Sequence, residues 1–347
     1  VKTTTLALTA AAVAALTIGA AGVANAQSRD QIRAVGSSTV FPFTTAVAEA
    51  FGKTGKFKTP VVESTGTGGG LKLFCGGVGP QHPDIANASR RIKKSEVDQC
   101  AANGVAEITE LKIGFDGIVM ASSKAAKHYD FTRAQVWKAL AKEVPVNGKM
   151  VANPYKKWSD VDPSLPNYDI EVLGPPPTSG TRDAFNELMM EGGCHQVKEV
   201  AAILTDEKAR SKACLSIRED GAYVEAGEND NLIVQKLGAN PEAFGVFGYS
   251  FLDQNKDKLQ AAKVDTVVPS YELISSGKYP VSRSLYVYVK NAHVGVIPGI
   301  RELIGEYTSE RAMGEEGYLA DKGLIALPKA DRDAARVSAV NLSPLKL

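Results

Sequence analysis

The sequence offers little one-sided electrostatics. Its 40 Lys and Arg against 39 Asp and Glu leave a formal charge of +1, and the two signs are interspersed. There is therefore no broad field for nucleic acid. The densest basic run, Arg90-Arg91-Ile92-Lys93-Lys94, reads on composition as a solvated loop. Aromatic residues are sparse, and no array of the kind that stacks sugars surrounds Trp137 or Trp158, so both read as packing residues. The histidines His82, His128, His195 and His293 are scattered, and the cysteines lack close metal-ligand spacing. Cys194 and His195 are adjacent and cannot easily share one ion, so no metal is expected. Neither G-x-G-x-x-G nor a Gly-Lys-Ser/Thr ending occurs, and no cofactor is implied. A G-x-S-x-G elbow and a Ser-His-Asp arrangement are also missing, which argues against a hydrolase.

At the start, Lys2 precedes an uncharged Ala- and Leu-rich run from Leu6 to Val23, followed by Ala24-Asn25-Ala26. This reads as an export signal over residues 1–26, cut before Gln27. Its small residues and cleavage motif argue against a membrane span. With no cysteine near the cut, the expectation is a soluble periplasmic protein without a lipid anchor. Roughly 320 residues remain, enough for two domains with real cores. In an oxidising compartment Cys75, Cys100, Cys194 and Cys214 imply two disulfides. Sequence proximity favours Cys75–Cys100 and Cys194–Cys214.

Three small-residue, hydroxyl-rich loops each stand before a helical pattern: Gly36-Ser37-Ser38-Thr39, Ser64-Thr65-Gly66-Thr67-Gly68-Gly69-Gly70 and Thr178-Ser179-Gly180-Thr181. A helix start carries unpaired N–H groups and a field that favours an anion. The glycines, Gly68 among them, let backbone N–H groups approach a ligand closely. Each loop alone is also an ordinary N-cap; together they point to one anion held by three helix ends. Asp84 to Ser89 reads as a parallel strand that delivers Ser89, Arg90 and Arg91 to its carboxyl end, where α/β sheets bind ligands. Leu111 to Met120 reads as a crossover strand and Ser282 to Lys290, which alternates cleanly, as the return. Tyr168 to Leu173 is predicted as a strand, Glu199 to Lys212 and Asn229 to Leu237 each as a helix, and the last dozen residues as a partly ordered tail. The lobes then comprise residues 27–114 with 289–347, and 115–288.

Gly36-Ser37-Ser38-Thr39-Val40-Phe41-Pro42, Gly66 to Gly70, Ala88-Ser89 and Thr178-Ser179-Gly180-Thr181-Arg182, in this order and spacing, resemble the phosphate-binding proteins of bacterial ABC transporters. The likeness spans essentially the whole mature chain, including Trp158-Ser159-Asp160 and Phe244 to Tyr249. It implies an α/β, type II periplasmic binding-protein fold, with two lobes joined by two crossover strands and a desolvated oxyanion in the cleft. It further implies a monomeric, non-enzymatic protein that delivers inorganic phosphate to a membrane permease. Carried onto this chain, Thr67 matches a hydroxyl donor, Ser179, Gly180 and Thr181 match the donor loop, and Ser38 and Thr39 are the first-loop candidates, Val40 contributing backbone only.

Two positions depart from the family. Many members have aspartate after the Ala-Ser of the third strand, where it accepts the proton of hydrogen phosphate; here Arg90 stands there. Many also have arginine four residues before the serine of the Ser-Gly-Thr loop; here that residue is Pro175. The functional expectation is that Arg90, Arg182 or both supply the lost guanidinium, Arg91 facing solvent; the alternative makes both surface or supporting charges. Without that aspartate the case against sulfate or another tetrahedral oxyanion weakens, unless another acceptor such as Asp183 serves. A secreted phosphatase and an extracellular scavenger or adhesion protein remain as the other readings.

Overall fold

The computed structural model describes residues 29–177, 179–227 and 230–347. The expected leader, Thr178 and Asn229 lie outside them. Eleven strands are present among these residues: β1 Arg33–Gly36, β2 Val61–Ser64, β3 Ile85–Ala88, β4 Ile108–Ser123, β5 Glu143–Val146, β6 Lys149–Ala152, β7 Val172–Gly174, β8 Tyr223–Glu225, β9 Phe244–Gly248, β10 Leu259–Ala261 and β11 Ser282–Lys290. All but the β5–β6 hairpin belong to one mixed sheet, ordered β2-β1-β3-β11-β4-β9-β7-β8, with β10 on β4.

The pairing divides this sheet between two lobes. In the first, β1, β2 and β3 run parallel, with Gly36 beside both Ser64 and Asn87. Their carboxyl ends therefore open three loops at one edge. In the second, β7 runs parallel to β8 and β9. The shared strands are β4 and β11, the two crossovers read from the sequence. β4 pairs with β11 from Ile108 to Gly117 and then with β9 from Ile118 to Ala121. Its β-branched and apolar residues, buried on both faces, suit such a central strand. The register shifts between Leu285 and Tyr286, a bulge of the kind that adds local twist.

Helices cover the sheet: α1 Phe41–Gly52, α2 Thr67–Phe74, α3 Lys94–Ala102, α4 Arg133–Leu140, α5 Trp158–Val161 and α6 Gly180–Ala184. In α1, Phe43, Val47, Ala48 and Phe51 form the buried stripe expected from 3.6-residue spacing. Trp137 and Trp158 are fully buried, as packing residues should be. The disulfides pair as proximity favours. Cys75–Cys100 ties the end of α2 to α3, and Cys194–Cys214 ties two helices of the second lobe. With sequence separations of 25 and 20, each contributes on the order of 3 kcal/mol in the chain-entropy description.

Three expectations are corrected. The strand predicted from Tyr168 begins only at Val172, because the preceding backbone bonds the 156–158 segment instead: Trp158 N–H donates to Tyr168 O and Ile170 N–H to Lys156 O. The helix predicted over Glu199–Lys212 is two helices, Lys198–Ile203 and Glu207–Leu215; Asp206 restarts the second by accepting from Ala209 N–H at 2.8 Å. The carboxyl end is anchored. Helix Lys329–Asn341 buries Arg332, Ala335 and Ala339, and Leu345 N–H donates to Ile108 O beyond it. Among the described residues no helix is long and apolar enough to cross a membrane.

Candidate functional site

Close backbone approach brings the hydroxyl loops together. A Cβ on Gly70, in the first turn of α2, would sit 2.3 Å from Gly36 Cα, so α2 can start against the end of β1 only with glycine there. At this seam Thr67 and Ser89 meet. Their hydroxyls are 3.0 Å apart, and Ser89 N–H donates to Thr67 Oγ1 at 3.1 Å. Gly68 follows in the first turn of α2, exposed and with open space around its Cα. Thr67, Gly68 and Ser89 form a group of their own at this seam; they are not among the residues that line the cavity between the lobes, whose wall from the first lobe holds the hydroxyls of Ser38 and Thr39.

The opposing wall is the start of α6, where Ser179 is the N-cap and accepts from Thr181 N–H at 3.2 Å. From Gly180 the backbone stays helical through a π segment, Phe185–Glu191, to Gln196. The walls touch directly. Thr39 donates to Gly180 O at 3.0 Å, and Ser38 donates to the Asp183 carboxylate. A Cβ on Gly180 would lie 2.4 Å from Thr39 Cα. Ser38, Thr39, Ser179, Gly180 and Thr181 line one cavity of about 550 Å³. A larger hollow, about 620 Å³, lies elsewhere; with Asp253, Glu315, Glu316 and Asp321 in its lining it is poorly suited to an anion.

The structure places the two candidate arginines away from the role expected of them. Both terminal nitrogens of Arg90 donate to Glu96, at 2.9 and 2.8 Å. Those bonds raise the Arg90 pKa; burial pushes Glu96 up, but the Arg90 fork and the Lys93 N–H together hold its pKa below the usual value. Glu96 is the third residue of α3 and also caps Lys93 N–H, so the fork is held by a helix start that overlaps the end of the basic run. Arg182 is buried and turned back under its own loop. It donates to Pro175 O at 3.2 Å and Asn186 Oδ1 at 3.3 Å, and lies 4.1 Å from the Tyr223 ring centroid. Among the described residues no carboxylate pairs with it, so its charge supports the field at the start of α6 from behind. Arg91 pairs with Glu110 at the surface.

The guanidinium at the cleft comes from β11. Arg283 Nη2 donates to Thr39 Oγ1 at 2.5 Å and Nη1 to Glu187 at 2.5 Å, bridging the lobes. Directly across in β4 stands Asp116, which lines the same cavity. Burial raises its pKa, with Arg283 opposing the shift. Neither residue was among the expected site residues. The signal available was a charge set inside apolar strand sequence, Phe115-Asp116-Gly117-Ile118 and Arg283-Ser284-Leu285.

The comparisons agree with this architecture. The PBP superfamily domain matches residues 21–311. A phosphate-binding protein PstS of Staphylococcus saprophyticus is 32% identical over 93% of this chain and 90% of its own. The chain belongs to the phosphate-binding periplasmic substrate-binding protein family. Protein SphX of Synechococcus elongatus is 35% identical over 75% of this chain and 68% of its own. Among solved structures, a possible phosphate binding protein from Planctomyces limnophilus matches with a TM-score of 0.71 and 27% identity, over 90% of this chain and 98% of that one. Members of this family are binding proteins, and this chain is not an enzyme. His293, the one buried histidine among the described residues, is held by Asp84 at 2.6 Å and Val78 O at 2.8 Å.

Proposed function

We propose that this protein binds inorganic phosphate in the periplasm and hands it, as a monomer, to the permease of an ABC transporter. The observation that carries the reading is the meeting of two donor walls, Ser38 and Thr39 touching Gly180 and Asp183 across one cavity. A small oxyanion entering there exchanges these mutual bonds for bonds to itself. Its donors are the hydroxyls of Ser38, Thr39, Ser179 and Thr181 and the N–H group of Gly180 at a helix start. Arg283 supplies the positive charge, and Arg90 and Arg182 act from outside the contact shell. The lobe assignment of 27–114 with 289–347, and 115–288, fits closure about β4 and β11, although the change of strand partner at Gly117–Ile118 moves the first boundary slightly later. Family membership and relatives named for phosphate binding support the ligand.

Titration calorimetry of the protein, freed of co-purified ligand, with inorganic phosphate tests the reading. Saturable one-site binding with submicromolar Kd is expected. Absence of heat or of competition by phosphate for a retained anion overturns it.

A further inference from the structure

The cavity between the lobes is far larger than an inorganic oxyanion. At about 550 Å³ it falls in the range of sites that hold organic molecules. A bare tetrahedral oxyanion displaces only on the order of two or three waters, at roughly 30 Å³ each. The lining also changes character along the chain. Ser38 and Thr39, with Ser179, Gly180 and Thr181 opposite, carry the hydroxyls and the helix-start N–H groups. Just beyond them Phe41, Pro42 and Phe43, the first turn of α1, bring no polar side-chain atom. Pro42 has no N–H, and Phe41 N–H is committed to Ser37 O at 3.0 Å.

The second lobe answers this apolar end in kind. Gly248, which closes β9, and Phe251, in the helix Tyr249–Gln254 after it, line the same cavity. Phe41 and Phe251 are both partly exposed, so ring surface remains uncovered. A Cβ on Gly248 would meet nothing within 4 Å, which marks open space there rather than packed core. The charged residues of the lining are Asp116, Asp321 and Lys322, two carboxylates to one ammonium, so a second phosphate or a carboxylate is disfavoured. A neutral, apolar group suits the remaining space.

We propose that this cleft accepts phosphomonoesters of small apolar or aryl groups as well as the bare ion. The phosphoryl oxygens take the hydroxyl and N–H end, and the organic group lies against Phe41, Pro42 and Phe251. This rests on the phosphate-binding reading above and widens its ligand class. A monoester dianion keeps its terminal oxygens as acceptors for the same donors, and its organic group covers aromatic surface that inorganic phosphate leaves in water.

The test is calorimetry of the whole protein at neutral pH with inorganic phosphate, methyl phosphate and phenyl phosphate, the two esters differing only in the apolar group. Phenyl phosphate should compete with phosphate, bind within about tenfold of its affinity, and bind at least about tenfold more tightly than methyl phosphate. Gly248→Leu fills the open side from an ordinary extended backbone, φ −67° and ψ 144°. It should weaken phenyl phosphate at least about tenfold and leave inorganic phosphate within about twofold. Phenyl phosphate that falls short of either wild-type mark overturns the inference and leaves the phosphate reading intact. So does a Gly248→Leu protein in which phosphate and phenyl phosphate are affected alike. Failure of wild type to bind inorganic phosphate removes the proposed function, and the inference with it. The wild-type ester measurements decide the matter even if Gly248→Leu does not fold.

Discussion

The walls and the floor of the cleft are built by different means. Each wall is local: a strand ends, a few small hydroxyl residues follow, and a helix begins, so Ser38 or Ser179 is positioned by residues within a turn of itself. The floor is non-local: Asp116 and Arg283, far apart in sequence, meet because two long strands pair in register. Wall groups are largely satisfied by one another and exchange partners on binding. Among the described residues Asp116 Oδ2 and Arg283 Nε have no hydrogen-bond partner, and such unmet capacity inside a packed sheet costs stability. The walls thus carry most of the donors, while the floor carries the charge.

The largest expected effect tests whether the walls must touch. Gly180→Val places a side chain where Thr39 Cα and Ser38 O already lie, at 2.4 and 2.6 Å from the Cβ position. Phosphate affinity should fall more than about 100-fold while each lobe stays folded, because β-branched residues are tolerated in a first helical turn at a few tenths of a kcal/mol. Calorimetry with circular dichroism checks this, and near-native affinity would show that closure does not need this contact.

Next comes the floor. Arg283→Ala strands a buried carboxylate and should destabilise the fold by about 3 kcal/mol as well as weakening phosphate. Denaturant titration without ligand separates the two effects. A single wall hydroxyl should matter less: Thr181→Ala should cost about 1–3 kcal/mol of binding and little stability. If Thr181→Ala costs more than Arg283→Ala in both assays, the contrast between floor and wall collapses.

A pH experiment sharpens the same contrast. Burial raises the Asp116 pKa above its unfolded value. Between those two values the folded chain binds the extra proton, so stability without ligand should rise as pH falls through that window. The increment should disappear in Asp116→Asn; identical pH profiles of wild type and variant would contradict the raised value. Smallest of all, Arg90→Ala should leave phosphate affinity within about twofold and cost under about 1 kcal/mol of stability, since its partly exposed fork is spent on Glu96.

Much of this was legible in the sequence. The return strand Ser282–Lys290, the buried tryptophans, both disulfide pairings and the three hydroxyl loops follow from periodicity, proximity and turn chemistry, all short-range properties. The fate of Arg90 was not: its neighbours in sequence present a basic run, whereas its partner is the capping glutamate of the following helix. The split of the 199–212 helix at Asp206 could have been read as a cap signal in its interior. The anchored tail could not, because its partner is Ile108, far away in sequence.

By itself, then, the sequence determined where strands stop and helices start, and with that the kind of ligand the loops suit: backbone geometry and N-cap chemistry act over a few residues. Only the tertiary structure decided which charges enter the cleft. An arginine's long side chain reaches whichever carboxylate or carbonyl the packed sheet and helices bring near it, and register between distant strands, not local pattern, sets Asp116 against Arg283.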